Sequence, residues 1–265
     1  MQSQPGDRRR GSGLGMRKIY RTGRKAPRFV VFSAPMCEWE GAGSPWGYDA
    51  EDGPGLWAGL DPAYATCALG TEQSPIDLAG GQRADLPEVE FDYGQGRATI
   101  ENTGHGIQVN PVPGSGIVLD GVRYELRQFH FHRESEHTVE GARLALEMHL
   151  VHESADGAVA VVGVLLDEGG ENDALKPVWA HLPTRPTQPR AMAGDLDLAS
   201  LLPDDRTSWR YRGSLTTPPC TEGVAWVVLT EVLALSSGQI EAFAAIYPNN
   251  YRPVQPLGER VLYRG

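Results

Sequence analysis

Three histidines in two short segments carry the clearest chemistry of this chain. Five of the seven histidines fall between positions 130 and 152, a density that scattered surface use would not give. Because side chains alternate across a strand, His130 and His132 share one face of a predicted strand. His149, on the polar face of the next apolar run, can join them from a neighbouring strand. Three neutral imidazoles with one open position form the ligand set of a catalytic zinc.

Two polar residues are placed to orient these rings. Gln128 precedes His130 by two residues and Glu147 precedes His149 by two, so each shares a face with its histidine. Zinc-ligating histidines need such partners, because a hydrogen bond to the second ring nitrogen fixes the tautomer. The alternative is a sheet whose histidines only satisfy buried hydrogen bonds, which an isolated His-x-His pattern would favour. The third histidine and the two orienting partners favour the metal.

Short strands are predicted to carry these residues. The 32 glycines and 20 prolines among 265 residues indicate many turns. Strands are predicted over 97–102, 107–109, 116–119, 122–133, 142–152, 158–166 and 224–229, with a hairpin turn at 154–157. Helices are predicted from 172 to about 180 and from 237 to about 246, the second capped by Ser237, and 183–203 is predicted to be rich in loops. This balance predicts a mostly β (α+β) fold built around one extended sheet.

Charge divides the chain into a basic tail and an acidic body. Residues 1–28 hold nine Lys or Arg and one acid, whereas 29–265 hold fifteen Lys or Arg against 33 acids. The acidic body predicts no nucleic-acid partner, since phosphate binding needs basic surface. Residues 1–40 are predicted to be a disordered tail or an imperfect export signal with a short apolar patch at 29–32. Binding to polyanions or to an anionic membrane, and a true start at Met16, stay open.

The remaining 41–265 are predicted to form one catalytic domain, with no apolar run long enough to span a bilayer. Two cysteines, Cys67 and Cys220, fall inside this domain, and Cys37 falls in the tail. An odd count usually means one pair and one leftover. Two reduced core thiols are the alternative, and the compartment decides between them.

A series of motifs now points to a known family. From about 46 to 264 the chain resembles an α-class carbonic anhydrase of the bacterial, secreted or periplasmic type. Each motif alone is a weak match, but all of them occur in the family's order. The matching segments are Trp46-Gly47-Tyr48, Gln73-Ser74-Pro75-Ile76-Asp77, Thr103-Gly104-His105, Gln128-Phe129-His130-Phe131-His132, Ser135-Glu136-His137-Thr138, Glu147-Met148-His149-Leu150-Val151-His152, Gly213-Ser214-Leu215-Thr216-Thr217-Pro218-Pro219, Trp226 and Asn250-Tyr251-Arg252-Pro253-Val254-Gln255-Pro256-Leu257.

The resemblance implies a fold, a cofactor and a reaction. It implies a central, twisted, mostly antiparallel sheet of about ten strands with a few short peripheral helices. One Zn²⁺ per chain would hydrate carbon dioxide reversibly to bicarbonate and a proton, through attack by a zinc-bound hydroxide. The partners would be CO2, water and bicarbonate. The sequence leaves open a side esterase activity, a homodimer, and the alternative of a non-catalytic binding module related to the family.

The resemblance also implies roles for individual residues. His105 would be the proton shuttle, and Thr216 with Glu136 would orient the hydroxide. The other implied residues are the ligand-orienting Gln128, Glu147 and Asn250, the pocket residues Val151, Val161, Leu215, Thr217, Val224 and Trp226, and the water network of Tyr48, Thr103 and Gln108. His137 and His152 are expected to be structural. A Cys67–Cys220 disulfide is implied as well, and it favours a periplasmic or secreted protein. If both thiols are instead reduced, a cytoplasmic protein is expected.

Overall fold

One large sheet dominates the computed structural model, which describes residues 45–265. The predicted tail at 1–40 and Cys37 lie outside the described residues. Within them, the strands are β1 (Gln82–Arg83), β2 (Glu90–Asp92), β3 (Gln95–Gly96), β4 (Ala98–Asn102), β5 (Ile107–Pro111), β6 (Gly116–Leu119), β7 (Val122–His132), β8 (Leu146–Ser154), β9 (Val159–Glu168), β10 (Arg190–Ala191), β11 (Leu196–Asp197), β12 (Ser208–Ser214), β13 (Glu222–Leu229), β14 (Leu233–Leu235) and β15 (Tyr263–Arg264). The α-helices are α1 (Trp57–Leu60), α2 (Thr66–Leu69), α3 (Lys176–Trp179) and α4 (Ser237–Ala244), and 3-10 turns lie at Pro62–Tyr64 and Ala199–Leu201.

Thirteen of these strands form a single sheet. Ten follow the order β1-β15-β12-β13-β9-β8-β7-β5-β4-β10, and β2, β6 and β14 pair beside this path. The pairs β1–β15, β9–β13 and β9–β14 are parallel, and the other pairs of this sheet are antiparallel. The predicted fold class, a mostly β single domain around a twisted and mostly antiparallel sheet, is confirmed.

The central strands are buried on both faces. Phe129 and Phe131 of β7 pack with Met148 of β8 in the larger hydrophobic core. On the opposite face, Val151 and Trp226 belong to a second and smaller cluster. The odd-numbered side chains of β8 lie on this second face, because side chains alternate along a strand. His149 of β8 therefore has a packed core behind its strand and the second cluster beside it.

The predicted helices are shorter than expected, and one cap is different. The segment from 172 to 180 is helical only over Lys176–Trp179, because Asn172 Oδ1 accepts a hydrogen bond from the Leu175 amide and forms a turn first. The second helix covers Ser237–Ala244, and its N-cap is Ser236 rather than Ser237. The Ser236 hydroxyl accepts from the Gln239 amide, and the Gln239 side chain reaches back to form a capping box.

Two turns set the ends of the site strands. The predicted hairpin at 154–157 is present, and Gly157 takes a φ of 83° that favours glycine. Strand β8 begins at Leu146 rather than at Ala142, because reciprocal backbone hydrogen bonds between Val139 and Ala142 close a turn there.

In the described part of the chain, the helices are all too short to cross a membrane.

Candidate metal centre and active site

Pairing between β7 and β8 brings the three histidines together. His130 lies opposite His149 in the antiparallel register. The ring centroids are 4.9 Å apart for His130 and His132, 5.4 Å for His130 and His149, and 4.6 Å for His132 and His149. One nitrogen from each ring lies within 4.8 Å of the others, a spacing that suits a single metal ion.

The first two rings each commit one nitrogen to a partner. His130 Nδ1 lies 2.8 Å from Gln128 Oε1, and His132 Nδ1 lies 2.7 Å from the Asn250 carbonyl oxygen. Both partners are acceptors, so each histidine donates from Nδ1. This leaves Nε2 of both rings as a bare lone pair, the form that a metal ligand requires.

The third ring is held the opposite way round. His149 Nε2 lies 3.0 Å from Glu147 Oε1, which leaves Nδ1 without a hydrogen-bond partner among residues 45–265. Glu147 also accepts from His137, through its ring Nδ1 at 2.7 Å and its backbone amide at 2.8 Å. Burial raises the pKa of the Glu147 carboxyl, but the neighbouring His137 and His149 outweigh it and hold that pKa well below its ordinary value. Glu147 is therefore an ionised acceptor for both rings.

The free nitrogens fit a zinc ion. His132 Nε2 is buried and has no hydrogen-bond partner among the described residues, an arrangement that is costly unless another group binds there. Burial, helped by the other two rings, lowers the pKa of His130 well below its ordinary value, and burial also lowers that of His132. Both rings are thus neutral near pH 7, as zinc ligands must be.

A second group of potential ligands overlaps the first but does not suit a metal. His137, Glu147 and His149 also bring ligand atoms within 4.8 Å of one another. Both ring nitrogens of His137 are already engaged, however, because Nε2 lies 2.6 Å from the Tyr211 hydroxyl. His137 therefore holds Glu147, which in turn holds His149.

A cavity of about 430 Å³ opens over two of the histidines. Its wall includes His130 and His132, and Thr217 lines it as well. Gln128, Asn250, Tyr48, Thr103, His105 and Gln108 also line it. The predicted apolar pocket residues are gathered elsewhere: Val151, Val161, Val224 and Trp226 are buried in the smaller hydrophobic cluster, with Leu215 packed against them.

Glu136 is buried beside the histidines rather than paired at the surface. Its Oε1 accepts a 2.7 Å hydrogen bond from the Arg252 amide. Its Oε2 is buried, has no partner among the described residues and lies 3.8 Å from His149 Nδ1. Thr216 is buried as well, but no hydrogen bond joins it to Glu136 within the described residues. The free Oε2 is the acceptor that such a bond would use.

His105 lies on the polar side of the cavity. Its ring stacks on Trp46, with centroids 3.8 Å apart and an interplanar angle of 8°, and its Nε2 lies 2.8 Å from the Trp46 carbonyl oxygen. Burial lowers the pKa of His105, partly offset by this hydrogen bond and by Asp52. Thr103 Oγ1 accepts from the His105 amide and helps to shape the loop. Burial raises the pKa of Tyr48 well above its ordinary value, so its hydroxyl keeps its proton.

A disulfide joins Cys67 to Cys220, with Cα atoms 5.0 Å apart. It lies next to the segment that carries Thr216 and Thr217, because the Cys220 amide donates to the Thr217 carbonyl at 2.8 Å. The predicted pairing is therefore formed, and it anchors this wall of the site.

Arg252 is a site residue to which the sequence assigned no role. The residue is 1% exposed. The guanidinium donates to Gln73 Oε1 and to the carbonyl oxygens of Ser74 and Cys67, while its backbone amide holds Glu136. Its motif was recognisable, but nothing in one sequence separates a buried arginine from an exposed one.

The fold and the site define a class: a β-sheet protein with three convergent histidines, two of which line a cavity. A family model described as eukaryotic-type carbonic anhydrase matches residues 52–265. A carbonic anhydrase of Klebsiella pneumoniae is 45% identical over 222 residues, covering 83% of this chain and 90% of that protein. Dioscorin DB3L of Dioscorea polystachya is 36% identical over 223 residues, covering 80% and 82%.

Solved structures agree. The α-carbonic anhydrase of Thermovibrio ammonificans, in a complex with the inhibitor sulfanilamide, superposes with a TM-score of 0.81 at 42% identity, covering 83% of this chain and 99% of that one. The chain belongs to the eukaryotic-type, or α, carbonic anhydrase family. Its reaction is the reversible hydration of carbon dioxide to bicarbonate.

Proposed function

We propose that the chain carries out this reaction with one zinc ion, held by His130 Nε2, His132 Nε2 and His149 Nδ1. The observation that supports this most directly is the convergence of one nitrogen from each of the three rings. The other nitrogen of each ring is hydrogen-bonded to a partner within the protein. When bound, zinc supplies acidification of a coordinated water. Neutral histidine ligands suit that task, since they leave the positive charge of the ion undiminished.

The orienting residues fix which nitrogen each ring presents. Gln128 and the Asn250 carbonyl hold the Nδ1–H of the first two ligands, and Glu147 holds the Nε2–H of His149. A ring locked in one tautomer cannot turn its protonated nitrogen towards the metal. These contacts therefore preorganise the ligand set before any ion arrives.

Thr216 and Glu136 are proposed to select and aim the attacking oxygen. An ionised carboxylate only accepts hydrogen bonds, and Glu136 Oε2 is free to do so. A Thr216 hydroxyl that donates to Glu136 presents only lone pairs to the cavity. It can then accept a hydrogen bond from an oxygen that still carries a proton, and it turns away ligands without one.

His105 is proposed to carry the released proton from the cavity to bulk solvent. Burial lowers the pKa of His105 in this conformation, so its ring is neutral near pH 7 and can accept a proton, and histidine is the side chain best suited to such exchange. In the conformation described here its ring stacks on Trp46, at the side of the cavity. Tyr48, Thr103 and Gln108 line the same cavity and are proposed to order the waters between.

Carbon dioxide is proposed to bind against the apolar cluster beside the histidines. Trp226 lies 4.9 Å from the His149 ring, centroid to centroid, so this cluster borders the metal site directly. Val151, Val161, Leu215 and Val224 belong to or pack against the same cluster, and Thr217 adds a polar edge. An apolar, linear molecule needs such a surface. The same site is proposed to attack activated esters slowly as a side activity.

The protein is proposed to work in the periplasm or outside the cell. The Cys67–Cys220 disulfide supports this, because disulfides persist in oxidising compartments.

The zinc assignment is tested by His149→Ala, with His181→Ala as the matched control. His181 donates from Nδ1 to the Pro177 carbonyl, outside the cavity. Purified wild type and His181→Ala are expected to contain about one zinc per chain and to hydrate carbon dioxide. His149→Ala is expected to lose both the metal, measured by atomic emission, and the activity, measured by stopped flow. Full activity in zinc-free wild type would refute the assignment.

A further inference from the structure

A carboxylate stands in the same cross-strand row as the histidines. Glu101 of β4 pairs with Gln108 of β5, Gln108 pairs with His130 of β7, and His130 pairs with His149 of β8. Directly paired residues project from the same face of a sheet. Glu101 accordingly lines the same cavity as Gln108 and His130. Two strand spacings put Glu101 about 10 Å from the first histidine.

Amide donors hold this carboxylate in place. Glu101 Oε1 accepts from Asn110 Nδ2 at 2.7 Å and from Gln108 Nε2 at 3.3 Å, and Gln108 Nε2 also lies 2.7 Å from Asn110 Oδ1. An ionised carboxylate can only accept hydrogen bonds, so both amides must point their NH2 groups towards Glu101. No hydrogen bond from the described residues reaches Glu101 Oε2, which leaves it for water or a ligand.

No positive side chain balances Glu101 within the cavity. Among the described residues that line it, Glu101 is the one carboxylate, and none is Lys or Arg. Glu136 and Glu147 are buried beside the histidines, where Glu136 faces Arg252 and both would face a bound zinc ion rather than the cavity. Asp52, which raises the pKa of His105, adds charge of the same sign nearby. Glu101 is therefore the unmatched charge that an entering molecule meets.

We propose that Glu101 is a specificity-determining residue that selects, by charge, the molecules exchanging with the cavity. It favours neutral bases that leave as cations after accepting the proton, and it disfavours anionic bases and bicarbonate. The physical cause is Coulombic. The carboxylate stabilises a cation that forms in the cavity, whereas it repels an anion, such as bicarbonate or an anionic buffer, that approaches it. The inference rests on the proposed function only in taking this cavity as the site of proton release.

The test compares wild type, Glu101→Gln and Glu241→Gln as zinc-loaded proteins. Glu241 is an exposed carboxylate of α4 that does not line the cavity, so its substitution removes the same charge elsewhere. Turnover of carbon dioxide is measured by stopped flow at one pH, in imidazole buffer and in phosphate buffer of equal low ionic strength. The ratio of the phosphate rate to the imidazole rate is expected to rise about threefold in Glu101→Gln and to stay at the wild-type value in Glu241→Gln.

Two further readouts separate a charge effect from a structural one. The KM for bicarbonate is expected to fall about twofold in Glu101→Gln, and both effects are expected to shrink in about 0.5 M salt, where screening is strong. A ratio equal to wild type, an effect that persists in high salt, or loss of zinc from Glu101→Gln would overturn the inference. A wild-type rate that depends on neither buffer would also overturn the inference. The zinc assignment is tested separately, by the metal content of His149→Ala.

Discussion

Each histidine of the proposed zinc site has one ring nitrogen hydrogen-bonded within the protein and one without a hydrogen-bond partner among the described residues. The spacing of the histidines predicted which rings would meet, since alternation along a strand is a local property. It could not predict which nitrogen of each ring is free, because Gln128 and Glu147, although each is two residues from its histidine, hold different ring nitrogens. The carbonyl oxygen that fixes the tautomer of His132 belongs to Asn250, which is remote in sequence. The proposed ligand set therefore combines two Nε2 atoms with one Nδ1.

His105 is expected to limit turnover when external buffer is scarce. In His105→Ala, the rate of carbon dioxide hydration in weak buffer is expected to fall by up to about 100-fold, the lower end of the range for a positioned proton-transfer group. Added imidazole is expected to restore the rate, because it carries the proton instead. Stopped-flow measurements at several imidazole concentrations check this. Wild-type turnover of the variant in weak buffer would rule out the shuttle role.

Thr216 is expected to matter through its hydroxyl rather than its size. Thr216→Val keeps the shape but removes the group that would donate to Glu136, and kcat/KM is expected to fall by about 100-fold, as for loss of one hydrogen bond made in the transition state. Thr216→Ser keeps the hydroxyl and serves as the control. Zinc content is expected to be unchanged in both variants. Equal kcat/KM in valine and serine variants would remove the proposed orientation role.

At the level of elements, the central strands were predictable from sequence, but several surrounding elements were not. Strands β7, β8 and β9 show clear runs of alternating or apolar residues. Strand β12 was missed because its sequence, Ser-Trp-Arg-Tyr-Arg-Gly-Ser, reads as polar although most of it is buried. Arg210 of this strand is buried and donates to the Pro87 carbonyl. Because such contacts allow polar residues to be buried, a search for alternating hydrophobic residues does not detect this strand.

The short helices before the sheet were missed for a related reason. Helices α1 and α2 have four residues each, so neither shows a helical period. They are held by packing: Trp57 is fully buried and donates from its indole nitrogen to the Gly47 carbonyl. Their position depends on contacts that no local pattern encodes.

Strand β9 supplies space for the residue that orients His149. Gly163 lies opposite His149, and a Cβ built there would lie 3.0 Å from Glu147 Oε1 and 3.3 Å from Val228. Gly163→Ala is therefore expected to push Glu147 off His149 and to lower the free energy of unfolding by about 1–3 kcal/mol, as overpacking does in a tight core. Zinc affinity is expected to fall with it, which competition with a chelator measures.

Gly59→Ala is the matched control for this substitution. Gly59 lies in α1, and nothing lies within 4 Å of a Cβ built there. The control is expected to keep wild-type zinc affinity and stability. A Gly163→Ala protein with an unchanged urea midpoint and an unchanged zinc affinity would show that Glu147 does not need this space.

Across the whole molecule, one chain of contacts connects the disulfide to the reaction site. The Arg252 guanidinium donates to the Cys67 carbonyl at 2.6 Å, and its backbone amide donates to Glu136. On the other side, Cys220 donates to the Thr217 carbonyl. The disulfide thus supports Glu136 through Arg252 and the segment of Thr216 through its neighbour Thr217, although Cys67 and Cys220 are 153 residues apart.

Removing this disulfide is expected to weaken both the fold and the site. In the Cys67→Ala/Cys220→Ala protein, the free energy of unfolding is expected to fall by about 2–5 kcal/mol, because the unfolded chain regains the freedom of a long loop. Urea unfolding measures this loss. Carbon dioxide turnover is expected to fall as well, since the segment of Thr216 loses its anchor.

Reductant supplies the control for this prediction, because it should destabilise wild type but leave the double variant unchanged. Non-reducing mass mapping of protein from its native compartment is expected to show Cys67 joined to Cys220. Two free thiols there, together with full stability of the double variant, would contradict both the stabilising role and the proposed periplasmic or secreted location. In that case the Cys67–Cys220 bond would not be needed for folding or for turnover, and it would form only when the protein meets oxidising conditions.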